Sequence, residues 1–185
     1  MSNPRIIAGK ARGIRLQPVP GDITRPITDR VKEALFNILG ADIISATFLD
    51  LFGGTGSVGI EALSRGAAFY RFIDIHRQAV LTIQSNLERT RLSPFGEVLL
   101  SDAFAYLRST PNRQFDYIYI APPQYKEMWQ KALLLVDQNP GWMFDNSWVI
   151  VQIDPVEYKE TILSHLQQFD QRRYGSTLLV FYEKK

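Results

Sequence analysis

The spacing of apolar residues changes period several times along the chain. Val31, Ala34, Leu35, Ile38 and Leu39 recur at i, i+3, i+4, i+7 and i+8, which predicts a helix with one buried face. Thr28 or Asp29 is placed to cap it, and Gly40 to stop it. Upstream, residues 5–8 and 14–17 are short apolar pieces around Gly9 and Gly13, the pattern of a hairpin. Pro18, Pro20 and Gly21 then break the chain. Beyond residue 46 the pattern predicts strands over 47–52, 69–73, 97–100, 115–120 and 148–153. Helices fall between them over 57–64, 78–90 and 126–137, with a helical turn near 103–107. Residues 156–168 read as a last helix, and 169–174 and 177–182 flank Gly175 and Ser176 as a closing hairpin.

Repeated strand–helix units imply a mostly parallel sheet with helices on both faces, an α/β fold. The expected division is an N-terminal basic hairpin-and-helix extension over 1–40 and a main domain over 41–185. Ligands of such sheets bind beyond the carboxyl ends of the strands. Four groups fall at predicted strand ends: residues 50–54, Asp74, Asp102 and residues 121–125.

Composition narrows the classes. The 185 residues are 45% hydrophobic and 22% charged, enough for one folded core. With no cysteine, disulfides, thiolate metal sites and a cysteine nucleophile are excluded. His76 and His165 are far apart in sequence, so no metal site is expected; His76 reads as the start of a helix. No apolar run reaches the roughly 18 residues of a membrane span, so a soluble cytoplasmic protein is expected; a monomer is expected as well. Trp129, Trp142 and Trp148 read as core or rim aromatics, and Asp116, at the start of a strand, as structural. The net charge is only +2, yet the first 33 residues carry seven basic against three acidic side chains. A charge cluster alone is an ordinary solvated face; beside a nucleic-acid site it becomes a phosphate-contacting surface.

Gly54-Thr55-Gly56-Ser57-Val58-Gly59 matches G-x-G-x-x-G between a strand and a helix, with Asp74 twenty residues on. That pattern fits a dinucleotide, S-adenosylmethionine, or a tight turn without ligand. Asp50 separates the first two. A carboxylate just before the loop repels a pyrophosphate but favours the ammonium and sulfonium of S-adenosylmethionine. Asp74 would then accept from ribose hydroxyls. Asp102 would accept from the adenine amine, with Ala103 supplying backbone contact. Taken singly, Asp74 and Asp102 read equally as turn or capping residues. Farther on, Ala121-Pro122-Pro123-Gln124-Tyr125 follows a strand. Two prolines there either end the strand or hold carbonyl acceptors rigidly against an exocyclic amine, with Tyr125 free to stack on a base.

The stretches RIIAGKARG (5–13), TRPITDRVKEALFNIL (24–39), LDLFGGTGSVGIEALSRGA (49–67), FID (72–74), SDA (101–103) and FDYIYIAPP (115–123) resemble the RsmD family, bacterial methyltransferases of a guanine N2 in small-subunit (16S) ribosomal RNA. The resemblance implies a Rossmann-like class I S-adenosylmethionine-dependent methyltransferase fold, a seven-stranded sheet with an antiparallel final strand. It implies a cofactor set of Asp50, Phe52, Gly53, Gly54, Gly56, Asp74, Ile75, Asp102 and Ala103, and a catalytic loop of Ala121, Pro122, Pro123, Gln124 and Tyr125. It places Arg5, Lys10, Arg12, Arg15, Arg25 and Arg30 toward RNA, and the small ribosomal subunit or its assembly intermediate as partner. Two positions depart from the family: Ala121 and Gln124 stand where it has Asp or Asn and an aromatic. That departure motivates a second reading, an RNA-binding assembly protein that holds the cofactor but has lost most catalysis.

Overall fold

The computed structural model describes residues 3–21, 26–124 and 126–185. After an N-terminal segment come α1 (Asp29–Leu39), β1 (Thr47–Asp50), α2 (Ser57–Ser64), β2 (Phe69–Asp74), α3 (Arg77–Arg89), β3 (Gly96–Leu100), α4 (Ala103–Arg108), β4 (Phe115–Ile120), α5 (Met128–Gln138), β5 (Met143–Ile153), β6 (Leu166–Tyr174) and β7 (Thr177–Lys184). Between the two expected caps of α1 the structure chooses Thr28, whose hydroxyl accepts from the Val31 N–H.

The strands form one seven-stranded sheet in the order β3-β2-β1-β4-β5-β7-β6. The first five run parallel, and β7 runs antiparallel to both of its neighbours. Alternation along each strand splits the core in two. Phe48, Tyr70, Phe72, Tyr117 and Tyr119 pack with α1, α2 and α3 on one face. Leu49, Ile73, Ile118, Ile120 and Val149 pack with α4 and α5 on the other. The strand order reverses between β1 and β4, so the loops after those two strands flank a crevice at the carboxyl edge.

Two expectations change. The helix expected over 156–168 is a single 3-10 turn, Pro155–Glu157, closed by a capping box between Asp154 and Glu157. Residues 158–165 are neither helix nor strand, and β6 already begins at Leu166. The Asp137 carboxylate explains this: it accepts from the N–H groups of Ser164, His165 and Leu166, which a helix would have used internally. The N-terminal hairpin is likewise reduced to one bridge, Arg5 to Arg15. The Ile7 and Ala8 N–H groups are taken by the Glu61 carboxylate instead of a partner strand. Ile6, Ala11 and Leu16 from this segment share one core cluster with α1 and the sheet.

Candidate functional site

β1 ends at Asp50, and the chain turns through residues 51–56 into α2. Gly54 and Gly56 adopt φ of 58° and 80°, which side-chain-bearing residues resist. A Cβ on Gly54 would meet no atom within 4 Å, so the loop faces open space there. On its inner side the loop rests on α3. A Cβ on Gly53 would lie 2.8 Å from Ile83, and the Asn86 side chain donates to the Thr55 carbonyl. The third glycine of the motif acts by packing: a Cβ on Gly59 would lie 2.2 Å from the Phe72 ring and 2.4 Å from the Tyr70 ring.

Asp50 and Asp74 end β1 and β2, and Asp102 lies two residues beyond β3 at the same edge. The Asp50 carboxylate is 2% exposed. It accepts from the Phe52 N–H at 3.1 Å and from the Tyr70 hydroxyl at 2.8 Å. Burial raises its pKa from 3.8 to about 7, against those two hydrogen bonds and with a smaller push from the Asp74 charge. Asp74 accepts from the Gly54 N–H at 3.0 Å and from the His76 N–H at 2.9 Å, so it anchors the glycine loop to the end of β2. Asp102 caps α4 through the Ala105 N–H at 2.8 Å. Ile75, between Asp74 and His76, is 58% exposed, an apolar surface at the same edge. Phe52 of the glycine loop and Phe104 of α4 meet edge to face at 6.3 Å.

The loop after β4 completes the edge. Ala121, Pro122 and Pro123 are partly buried, and Gln124 is exposed. Ala121 packs against the aromatic-faced core. Tyr125 lies outside the described residues. The structure thus brings Asp50, Phe52, Gly53, Gly54, Gly56, Asp74, Ile75, Asp102, Ala103 and residues 121–124 to one end of the sheet.

The expected RNA-facing residues are more dispersed. Arg5 and Arg15 are bridge partners and both are exposed, with Arg5 paired to Asp29 at 2.7 Å. They lie at the glycine-loop end of α2, since Lys32 links the Arg5 carbonyl to Ser57. Lys10 lies at the opposite end of that eight-residue helix, where its N–H donates to the Ser64 carbonyl, roughly 12 Å away along the axis. Arg12 is exposed beside Arg5 and Glu33, and Arg30 is exposed on α1. Arg25 lies outside the described residues. Lys32, which adds to the basic count of the segment, is 1% exposed and pairs with Glu61 at 3.4 Å, so it is not part of the surface. Burial lowers its pKa, against the pull of Glu61.

Known proteins match nearly the whole length of the chain. The family model described as conserved hypothetical protein 95 matches residues 4–183. The ribosomal RNA small subunit methyltransferase D of Escherichia coli K12 is 31% identical, covering 98% of this chain and 90% of its own.

The chain belongs to the RsmD family.

YlbH of Bacillus subtilis is 36% identical over 98% of this chain and 99% of its own length. The solved structure of yhhF from E. coli superposes with a TM-score of 0.86 at 30% identity, covering 98% of this chain and 97% of that one. The RsmD-family chain therefore has the Rossmann-like class I methyltransferase fold. Sequence reasoning missed Tyr70 and Asn86, which lie beneath the glycine loop of this family member. Nothing in their spacing marks them; only strand register and helix packing bring them there.

A cavity of about 420 Å3 lies at the other end of the sheet, lined by Asp42, Ser45, Asp116, Tyr117, Asn146 and Trp148. It opens at the amino ends of β1 and β4, away from the glycine loop, so it is no part of the site. There Asp116 accepts from the N–H and the hydroxyl of Thr47, the structural role expected of it. Among the described residues no helix is long and apolar enough to cross a membrane, and no cluster of His, Cys, Asp or Glu could hold a metal ion.

Proposed function

We propose that the protein is an S-adenosylmethionine-dependent RNA methyltransferase that modifies the N2 amine of a guanine in 16S ribosomal RNA, within the small subunit or its assembly intermediate. The observation that carries this reading is the buried Asp50 carboxylate beneath an open glycine loop, with no cation among its hydrogen-bond partners in the described residues, at the same sheet edge as the Pro-Pro loop after β4. Such a carboxylate suits a ligand bearing positive charge and disfavours a pyrophosphate. The relatives named ribosomal RNA small subunit methyltransferase D support the RNA class.

S-adenosylmethionine supplies a methyl group on a positively charged sulfur. Asp50 provides the counter-charge for its cationic end. Asp74 keeps lone pairs for ribose hydroxyls, because each of its oxygens accepts only one backbone N–H. Ile75 offers an apolar face to the adenine, and Asp102 and Ala103 take its amine edge. Residues 121–124 hold the target amine through backbone carbonyls and the Gln124 amide, and Tyr125 stacks on the base. Because an exocyclic amine is a poor nucleophile, the rate rests on acceptors that orient it and exclude water. Arg5 and Arg15 place two like charges side by side, an arrangement that costs stability unless an anion shares it. A phosphate of the RNA, together with Asp29, offsets that cost.

Ala121 favours a second reading, an RNA-binding assembly protein with little catalysis. Loss of one preorganised polar group costs on the order of 10²–10³ in rate. Transfer of labelled methyl to unmodified small subunits by the native protein and by Ala121→Asp decides between them. Native transfer supports the enzyme. Transfer by Ala121→Asp alone supports the assembly protein, and transfer by neither removes the methyltransferase reading.

A further inference from the structure

Asp50 is held by a residue that no motif contains. Tyr70 is 0% exposed, on β2, and its ring stacks on Phe48 at 5.2 Å and tilts against Phe72 at 4.5 Å. β1 and β2 pair with Phe48 opposite Tyr70 and Asp50 opposite Phe72. The Tyr70 hydroxyl therefore crosses diagonally to the next position on its own face, where it donates to Asp50 Oδ2 at 2.8 Å. The ring fits there only because residue 59 lacks a Cβ. So the third glycine of the loop motif makes room for the side chain that grips the aspartate preceding the loop.

We propose that Tyr70 is a positioning residue whose hydroxyl fixes the Asp50 carboxylate beneath the glycine loop and favours its anionic form for a cationic ligand. The proposal rests on the reading of this edge as an S-adenosylmethionine site. Each element packed around the carboxylate supplies a group that bears on its charge. β2 contributes Tyr70 as a donor and Asp74 as a like charge. The glycine loop contributes the Phe52 N–H. β4 contributes Tyr119, a fully buried tyrosine held un-ionised, whose hydroxyl is hydrogen-bonded to Gln152 on β5. Burial is the dominant pressure toward the neutral acid, and Tyr70 is the only side-chain donor among the described residues that opposes it. Hydrogen bonds to ionised groups are roughly twice as strong as neutral ones, so losing this donor bears directly on the charged form.

The test is calorimetric affinity for S-adenosylmethionine and S-adenosylhomocysteine between pH 5.5 and 7.5, in the native protein and in Tyr70→Phe. The window stays below pH 8, near which an α-amino group of the ligand begins to lose its own proton. In the native protein affinity rises with pH as Asp50 ionises. In Tyr70→Phe affinity at pH 7 falls about tenfold, and the rise moves to higher pH. In an Asp50→Asn background, Tyr70→Phe leaves the pH profile unchanged. Phenylalanine keeps the ring contacts with Phe48 and Phe72, and a melting curve reports whether the variant folds. Equal affinity and an unshifted profile in a folded Tyr70→Phe overturn the proposal, as does a native profile that is flat with pH. Failure of the native protein to bind either ligand at any pH overturns the cofactor reading instead.

Discussion

At the scale of single residues, the site stores an electrostatic cost in Asp50. Its folded carboxyl stands at about 7, against 3.8 as its ordinary value, chiefly because it is buried. The folded chain thus holds this proton more tightly than the unfolded chain does. The cost is absent below about pH 4, grows as pH rises, and is fully present above about pH 7. Asp50→Asn is therefore expected to stabilise the ligand-free protein by a few kcal/mol at pH 8, with the gain vanishing toward pH 4. Melting temperatures of the two proteins across that range check this; a gain independent of pH would show that Asp50 is not the titrating group. Ala121 is the opposite case, a residue conspicuous for what its side chain lacks. Its identity was plain in the sequence, and its place beside the glycine loop follows from β4 lying next to β1.

At the scale of elements, the N-terminal segment is bound to α2 through one carboxylate. Glu61, 0% exposed, accepts from the N–H groups of Ile7 and Ala8 and from Arg65, and pairs with buried Lys32. Ser64 adds bonds to the Ala8 carbonyl and the Ala11 N–H, and Asn86 joins Gln17 to Thr55 of the glycine loop. Glu61→Ala leaves the buried Lys32 ammonium without its counter-charge and two backbone donors unpaired, so it is expected to cost about 3–5 kcal/mol in urea unfolding. Asp29→Ala breaks only the exposed pair with Arg5 and is expected to cost under about 1 kcal/mol. Similar losses for both would mean that Glu61 carries no such burden. The same logic explains the shortened hairpin and the missing helix before β6. In both places a buried carboxylate, Glu61 or Asp137, outcompetes regular secondary structure for backbone N–H groups.

At the scale of the molecule, the sheet order collects four loops at one edge and places Arg5 and Arg15 at the near end of α2, with Lys10 at the far end. Arg15→Glu is accordingly expected to weaken RNA binding and reduce the slope of log affinity against log salt by about one or more, and Lys10→Glu to do less. Filter binding to small-subunit RNA over a salt series separates the two, and equal effects would detach the bridge from the RNA surface. The sequence by itself determined the alternating α/β order, the glycine loop, the strand-end aspartates and the Pro-Pro loop, because periodicity and turn chemistry are local properties of the chain. Only the tertiary structure decided that Tyr70 grips Asp50, that Lys32 is sealed inside rather than offered to phosphate, and that residues 158–165 stay out of a helix. Each of these depends on which distant group arrives at a buried donor or acceptor. A polar group taken out of water must find a partner, and register and packing, not spacing along the chain, choose that partner.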